Sequence, residues 1–244
     1  MISALISEIV LLAGLFLGFS ALFLAAVLVH EAGHILGGIL CGFRIIAVKI
    51  GPVKVSLFPS IQWTWDWNRF LIGFVTVQFR KMPGPWAMWQ CSVLFLAGSI
   101  FNLCVSFLLF PFAVRDNAIA NVYAFFILIS TLGGISQLIP FTVKGWRNDG
   151  AKLCSLFFNQ TKRDELIFQC SVIARFNEFK SLYKAHRLQE ALDKIEKLIS
   201  GCKLIPSLQA NTDGMEKLSK LRDKLQQNLS GAVNTSPESI LNLD

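Results

Sequence analysis

His30 and His34 stand four residues apart with Glu31 between them, inside the stretch AVLVHEAGHILGGIL (26–40). Residues four apart on a helix share a face, so both imidazoles project to the same side. This is the spacing by which two histidines hold zinc while the intervening Glu acts on a bound water. A lone histidine on an apolar face is ordinarily a packed core residue. Here the whole chain has 3 histidines, and two of them flank a Glu inside sequence suited to lipid. Ionisable groups are costly in a membrane segment, and those that persist there face a protein interior or a watery cavity and have a function. The expected chemistry is hydrolysis by zinc-activated water, with Glu31 as general base.

The elements that must carry these residues follow from composition. Of 244 residues, 53% are hydrophobic and 16% charged, which is too apolar for an ordinary soluble domain. Residues 1–158 hold five acids (Glu8, Glu31, Asp66, Asp116 and Asp149), whereas 159–244 hold eleven. Three stretches, about 5–40, 86–114 and 118–140, are apolar and long enough to span a bilayer as helices. The first is no signal peptide, since it has no basic leader and runs too long. It is also long for one helix, which leaves open a turn near Gly18-Phe19-Ser20 that would make two spans.

Between spans one and two lie Arg44, Lys49, Lys54, Arg69, Arg80 and Lys81 against a single Asp66. Between spans two and three there is only Arg115, beside Asp116. The positive-inside rule therefore puts the first loop and the C-terminal part in the cytoplasm. The expectation is a multi-pass protein of a bacterial cytoplasmic membrane, its active site and C-terminus on the cytoplasmic side. The net charge of +7 reads as orientation plus attraction to anionic lipid. No basic cluster coincides with a nucleic-acid motif. The 6 cysteines are scattered without metal or disulfide spacing.

Within the first loop, VKIGPVKVSL (48–57) and FVTVQF (74–79) alternate like strands, with Gly51-Pro52 as punctuation. Trp63, Trp65 and Trp67 fall on one face and, with Trp86 and Trp89, form an interfacial aromatic belt. Residues 43–80 thus read as a small sheet at the cytoplasmic surface, with an edge to which an extended substrate segment can add. Pro140 closes span three, and Asp149 is placed to cap a helix running through Phe158. Residues 162–200 and 214–228 carry helical periodicity. HRLQEALDKIEKLI (186–199) faintly resembles the second half of a tetratricopeptide repeat. The predicted fold is predominantly α: a polytopic helical bundle of about three spans, a small cytoplasmic β segment and a C-terminal helical soluble domain. Its domains are a membrane-embedded metalloprotease domain at 1–158, a cytoplasmic helical domain at 159–228 and a flexible tail at 229–244. Residues 162–228 offer a surface for a cytoplasmic protein partner.

A catalytic zinc needs a third protein ligand and one open position. His186 lies in the soluble part, Glu8 at the wrong end of span one, Asp66 among the tryptophans and Asp116 across the membrane. Asp149, just past the cytoplasmic end of span three, is the carboxylate that remains. The chain resembles the site-2 protease family of intramembrane zinc metalloproteases. HEAGH matches its first motif, NDG (148–150) its later Asp-Gly motif, and AGSIFN (97–102) its Ala-Gly-Pro-x-x-Asn element. Two positions depart from the family pattern: Ser99 stands where Pro is frequent, and Gln137 where Asn often precedes Leu-x-Pro. The resemblance covers about residues 20–158 and implies Zn²⁺ held by His30, His34 and Asp149, Glu31 as the catalytic residue and a transmembrane or membrane-associated protein substrate. It also suggests that Asn102 stabilises the oxyanion, a role that competes with simple helix–helix hydrogen bonding. Gly33, Gly37 and Gly38 read as close-packing positions between helices. Two other readings stand beside this one. One is a metal-binding membrane scaffold that does not cleave; the other is a prenyl-protein-type endopeptidase, which would draw its third ligand from a later Glu.

Overall fold

The computed structural model describes residues 2–57, 60–65, 73–115, 118–143, 146–205 and 212–230. Asp66, Trp67, Asp116 and the expected tail beyond 230 lie outside the described residues. The chain is predominantly α, with, among the described residues, three helices long and apolar enough to cross a membrane and a small antiparallel sheet. It divides into two compact units, Met1–Val77 with Met88–Gln160, and Gln78–Ala87 with Thr161–Asp244.

In the first unit, α1 (Ile2–Leu40) is one unbroken helix. The turn left open near Gly18 does not form: that position has no Pro or charge to break the backbone ladder, and nothing packs within 4 Å of Gly18. The helix ends at Gly42, whose φ of +80° is the left-handed backbone that stops helices at little steric cost. Strands β1 (Phe43–Ile50), β2 (Val53–Ser56), β3 (Gln62–Trp65) and β4 (Phe74–Phe79) form one sheet in the order β3-β2-β1-β4. Ile50 pairs with Val53 across a two-residue turn in which Gly51 has φ +58°. In the next pair, Val53 faces Trp65 and Ser56 faces Gln62. β4 and β3 are thus the two edges, and Trp63 and Trp65 on β3 are exposed.

Helices α2 (Ala87–Ala113) and α3 (Ala118–Leu138) are the other two apolar spans. Glycines let the helices close on one another. A methyl at Gly37 would meet Ala97 Cβ at 2.5 Å, and one at Gly134 would meet Ser99 O at 3.2 Å. Gly38 sits against Ile45 of β1, Val77 of β4 and Leu94 of α2, so the last turns of α1 rest on the sheet. A short hairpin, β5 (Thr142–Val143) with β6 (Trp146–Arg147), follows α3 and leads into α4 (Asp149–Phe158).

The second unit is built mainly from α5 (Gln160–Lys184), α6 (Leu188–Lys203) and α7 (Thr212–Leu229). In α6 the buried residues are Ala191, Leu192, Ile195, Leu198, Ile199 and Cys202, the stripe expected of an amphipathic helix. They pack with Phe179, Tyr183, Leu221 and Leu225 into one apolar core. Gln78 is tied to this unit by donating to Gln169 O and accepting from Ile173 N.

Candidate metal centre

His30 and His34 lie one helical turn apart near the C-terminal end of α1, both buried. Asp149, also buried, is the first residue of α4. Although 115 and 119 residues separate it from the two histidines, its Oδ2 lies 2.9 Å from His34 Nε2 and 3.1 Å from His30 Nε2. The two Nε2 atoms are themselves 3.1 Å apart. Two nitrogens and one oxygen therefore form a nearly equilateral triangle.

Two of the three corners are held from outside, whereas Nδ1 of His30 is buried without a hydrogen-bond partner. His34 Nδ1 donates to Leu94 O of α2 at 2.7 Å, which fixes the ring plane and leaves Nε2 free to face the carboxylate. Asp149 is placed by its neighbour. The sequence reading makes Asp149 the helix cap, but the cap is Asn148, whose Oδ1 accepts from Ala151 N at 3.0 Å. The same side chain also accepts from Phe141 N and donates to the carbonyls of Gln137 and Ile139. The amide does the capping, so the Asp149 carboxylate is released for the site. Gly150 is required beside it, because a side chain there would run into the Leu138 carbonyl at the end of α3. On the opposite wall, a methyl on Gly98 of α2 would lie 2.5 Å from His34 Nε2 and 2.8 Å from His30 Nε2.

An ionised Asp149 carboxylate in contact with two imidazole nitrogens is an arrangement that a proton or a cation satisfies. Burial raises the proton affinity of Asp149, but contacts with His30 and His34 and the nearby Lys152 outweigh it and hold the carboxyl well below the usual carboxylate range. With Nδ1 of His34 protonated toward Leu94, a neutral ring turns a lone pair on Nε2 toward an anionic oxygen. A proton relieves one such contact, whereas a metal ion shared by all three relieves every one. Bonds of about 2.0–2.1 Å at tetrahedral angles would separate ligand atoms by about 3.3–3.4 Å. The observed separations fall a few tenths of an ångström short of that, within the reach of small side-chain adjustments. His30, His34 and Asp149 can hold a metal ion.

The family model for peptidase family M50 matches residues 18–236, most of the chain. The chain belongs to peptidase family M50. This is the site-2 protease family that the three motifs resemble. No curated protein and no solved structure matches the chain. Membership makes this M50 chain a protease, and its three apolar helices make the bilayer its setting.

The remaining candidate residues of the M50 chain are placed as follows. Glu31 is buried on α1 beside the histidines, and Gly73, just ahead of β4, lies against it. A methyl on Gly73 would meet Glu31 Oε1 at 2.6 Å. Asn102 is buried on α2 with Oδ1 unpartnered, and its Cβ packs toward Gly134 of α3. His186 is exposed, in left-handed backbone at φ +58° between α5 and α6. Sequence reasoning did not find Gly73 or Lys152, and it quoted Asn148 and Gly98 only as motif members, without the cap or the close approach to the histidines. Asn148 carried a signal as an Asn immediately before a helix start, and Gly98 as the glycine of AGSIFN.

Proposed function

We propose that this M50 peptidase hydrolyses peptide bonds in transmembrane or membrane-associated proteins, with zinc held by His30, His34 and Asp149 and with Glu31 as general base. The observation that supports this reading is the convergence of Asp149 Oδ2 to within 2.9–3.1 Å of both imidazole Nε2 atoms. Two imidazoles and a carboxylate, with a position left for water, are the donor set of a catalytic zinc site. Zinc bound there supplies a Lewis acid for the scissile carbonyl and lowers the pKa of a water toward about 7. Glu31 takes a proton from the attacking water as its oxygen bonds to the carbonyl carbon. It then delivers that proton to the leaving nitrogen as the C–N bond breaks.

A substrate helix must unwind before its peptide bond is exposed. β4 lies at one edge of the sheet, and an edge strand is where such an extended segment would add. Because Gly73 directly precedes β4 and lies against Glu31, a strand added there would run toward the catalytic carboxylate. The packing of Asn102 against α3 supports a helix-joining role for it more than an oxyanion role. The basic first loop supports a site on the cytoplasmic side, and residues 162–228 are a surface on which a cytoplasmic protein could act.

The test is a comparison of membrane proteomes from cells carrying the native chain or Glu31→Gln. The expected result is a single-span precursor that accumulates only with the variant. Identical proteomes and an unchanged phenotype would instead favour a metal-binding scaffold.

A further inference from the structure

The two oxygens of the Asp149 carboxylate have different partners. Oδ2 faces the imidazole pair, whereas Oδ1 lies 3.1 Å from Lys152 Nζ. Lys152 is three residues along α4, so it reaches back over the first turn of the same helix. Its ammonium is also 5.2 Å from the ring centroid of Phe95, a buried residue of α2. Two partners on two elements therefore hold a side chain that is only 34% exposed.

A carboxylate beside a metal ion can give one oxygen or both. When both bind, the coordination number rises by one and the position kept for water is crowded. We propose that Lys152 is a positioning residue that occupies Oδ1 and so confines Asp149 to a single metal-facing oxygen, Oδ2. This rests on the reading of Asp149 as a metal ligand. The ammonium prevents Oδ1 from swinging inward, and the Phe95 ring limits where the ammonium can go. Metal affinity is a poor measure of this role. Loss of orientation loosens the ion, whereas removal of a nearby positive charge tightens it, and the two effects oppose. Coordination number isolates the orientation.

Full-length protein would be purified, stripped of metal and loaded with cobalt(II), whose visible absorption is much stronger in four-coordinate than in five-coordinate sites. The native chain and Lys152→Arg are expected to share the strong spectrum, because both carry a cation able to bond Oδ1. Lys152→Met is expected to bind cobalt but show the weaker five-coordinate spectrum. A Lys152→Met spectrum indistinguishable from the native one overturns the proposal. Asp149→Asn, run in parallel, tests the underlying assignment separately. Cobalt bound there with the native spectrum would mean that Asp149 is not a ligand at all.

Discussion

At Asp149, exchanging one carboxylate oxygen for an amide keeps the shape of the side chain and removes its charge. Two imidazoles alone make a weak zinc site, so Asp149→Asn is expected to lose most bound zinc and all cleavage while the protein still inserts. Glu31→Gln should lose cleavage but keep the metal, because Glu31 is not a ligand in this reading. Zinc content of the purified variants by elemental analysis separates the two, and a full complement of zinc in Asp149→Asn would contradict the assignment. The glycines make a second residue-level prediction. Gly98→Ala places a methyl 2.5 Å from His34 Nε2, so either the ring or α2 must shift. A drop in zinc affinity of roughly tenfold or more is expected, in line with disturbed support around metal ligands. Gly14→Ala, with nothing within 4 Å of its added methyl, is the control and should be neutral. Chelator competition on both variants measures the difference.

At the scale of elements, Asn148 joins the end of α3, the turn at 139–141 and the start of α4 through one amide. Losing a helix cap costs about 1 kcal/mol, and here several backbone groups lose their partner together. Asn148→Ala should therefore lower thermal stability and weaken zinc binding, since the first turn of α4 carries Asp149. A melting curve recorded with and without zinc would show both effects, and an unchanged curve would remove Asn148 from the account. The sheet makes a separate prediction. β4 and β3 are both edges, but only β4 begins beside Glu31. A photo-crosslinker at the exposed Thr76 of β4 is expected to capture the substrate found by proteomics, whereas one at Thr64 of β3 is not. Capture from Thr64 alone would rule out strand addition at β4.

For the whole molecule, the distribution of charge predicts orientation. Arg44, Lys49, Lys54, Arg80 and Lys81 lie between the first two spans, against Arg115 alone among the basic residues between the second and third. With three spans, a C-terminal tag should be cut by protease added to inside-out membrane vesicles, while an N-terminal tag is protected. The reverse pattern would place the metal centre on the other side of the membrane.

Local pattern was enough to read much of this protein. The strand FVTVQF coincides with β4, and Gly51-Pro52 is the turn between β1 and β2. The three apolar runs became three helices, and His30 and His34 share a face, because these features depend on periods of two and 3.6 within a few residues. Elimination among a few membrane-region acids could reach Asp149, because apolar sequence leaves so few carboxylates to choose from. Other features depended on the packed chain. The walls at Gly73, against Glu31, and at Gly98, against His30 and His34, depend on neighbours far along the chain. So does the division of Asp149 between the imidazoles and Lys152. Such contacts are set by how helices and strands close against one another, a balance of many weak interactions summed over the whole molecule that no short window of sequence contains.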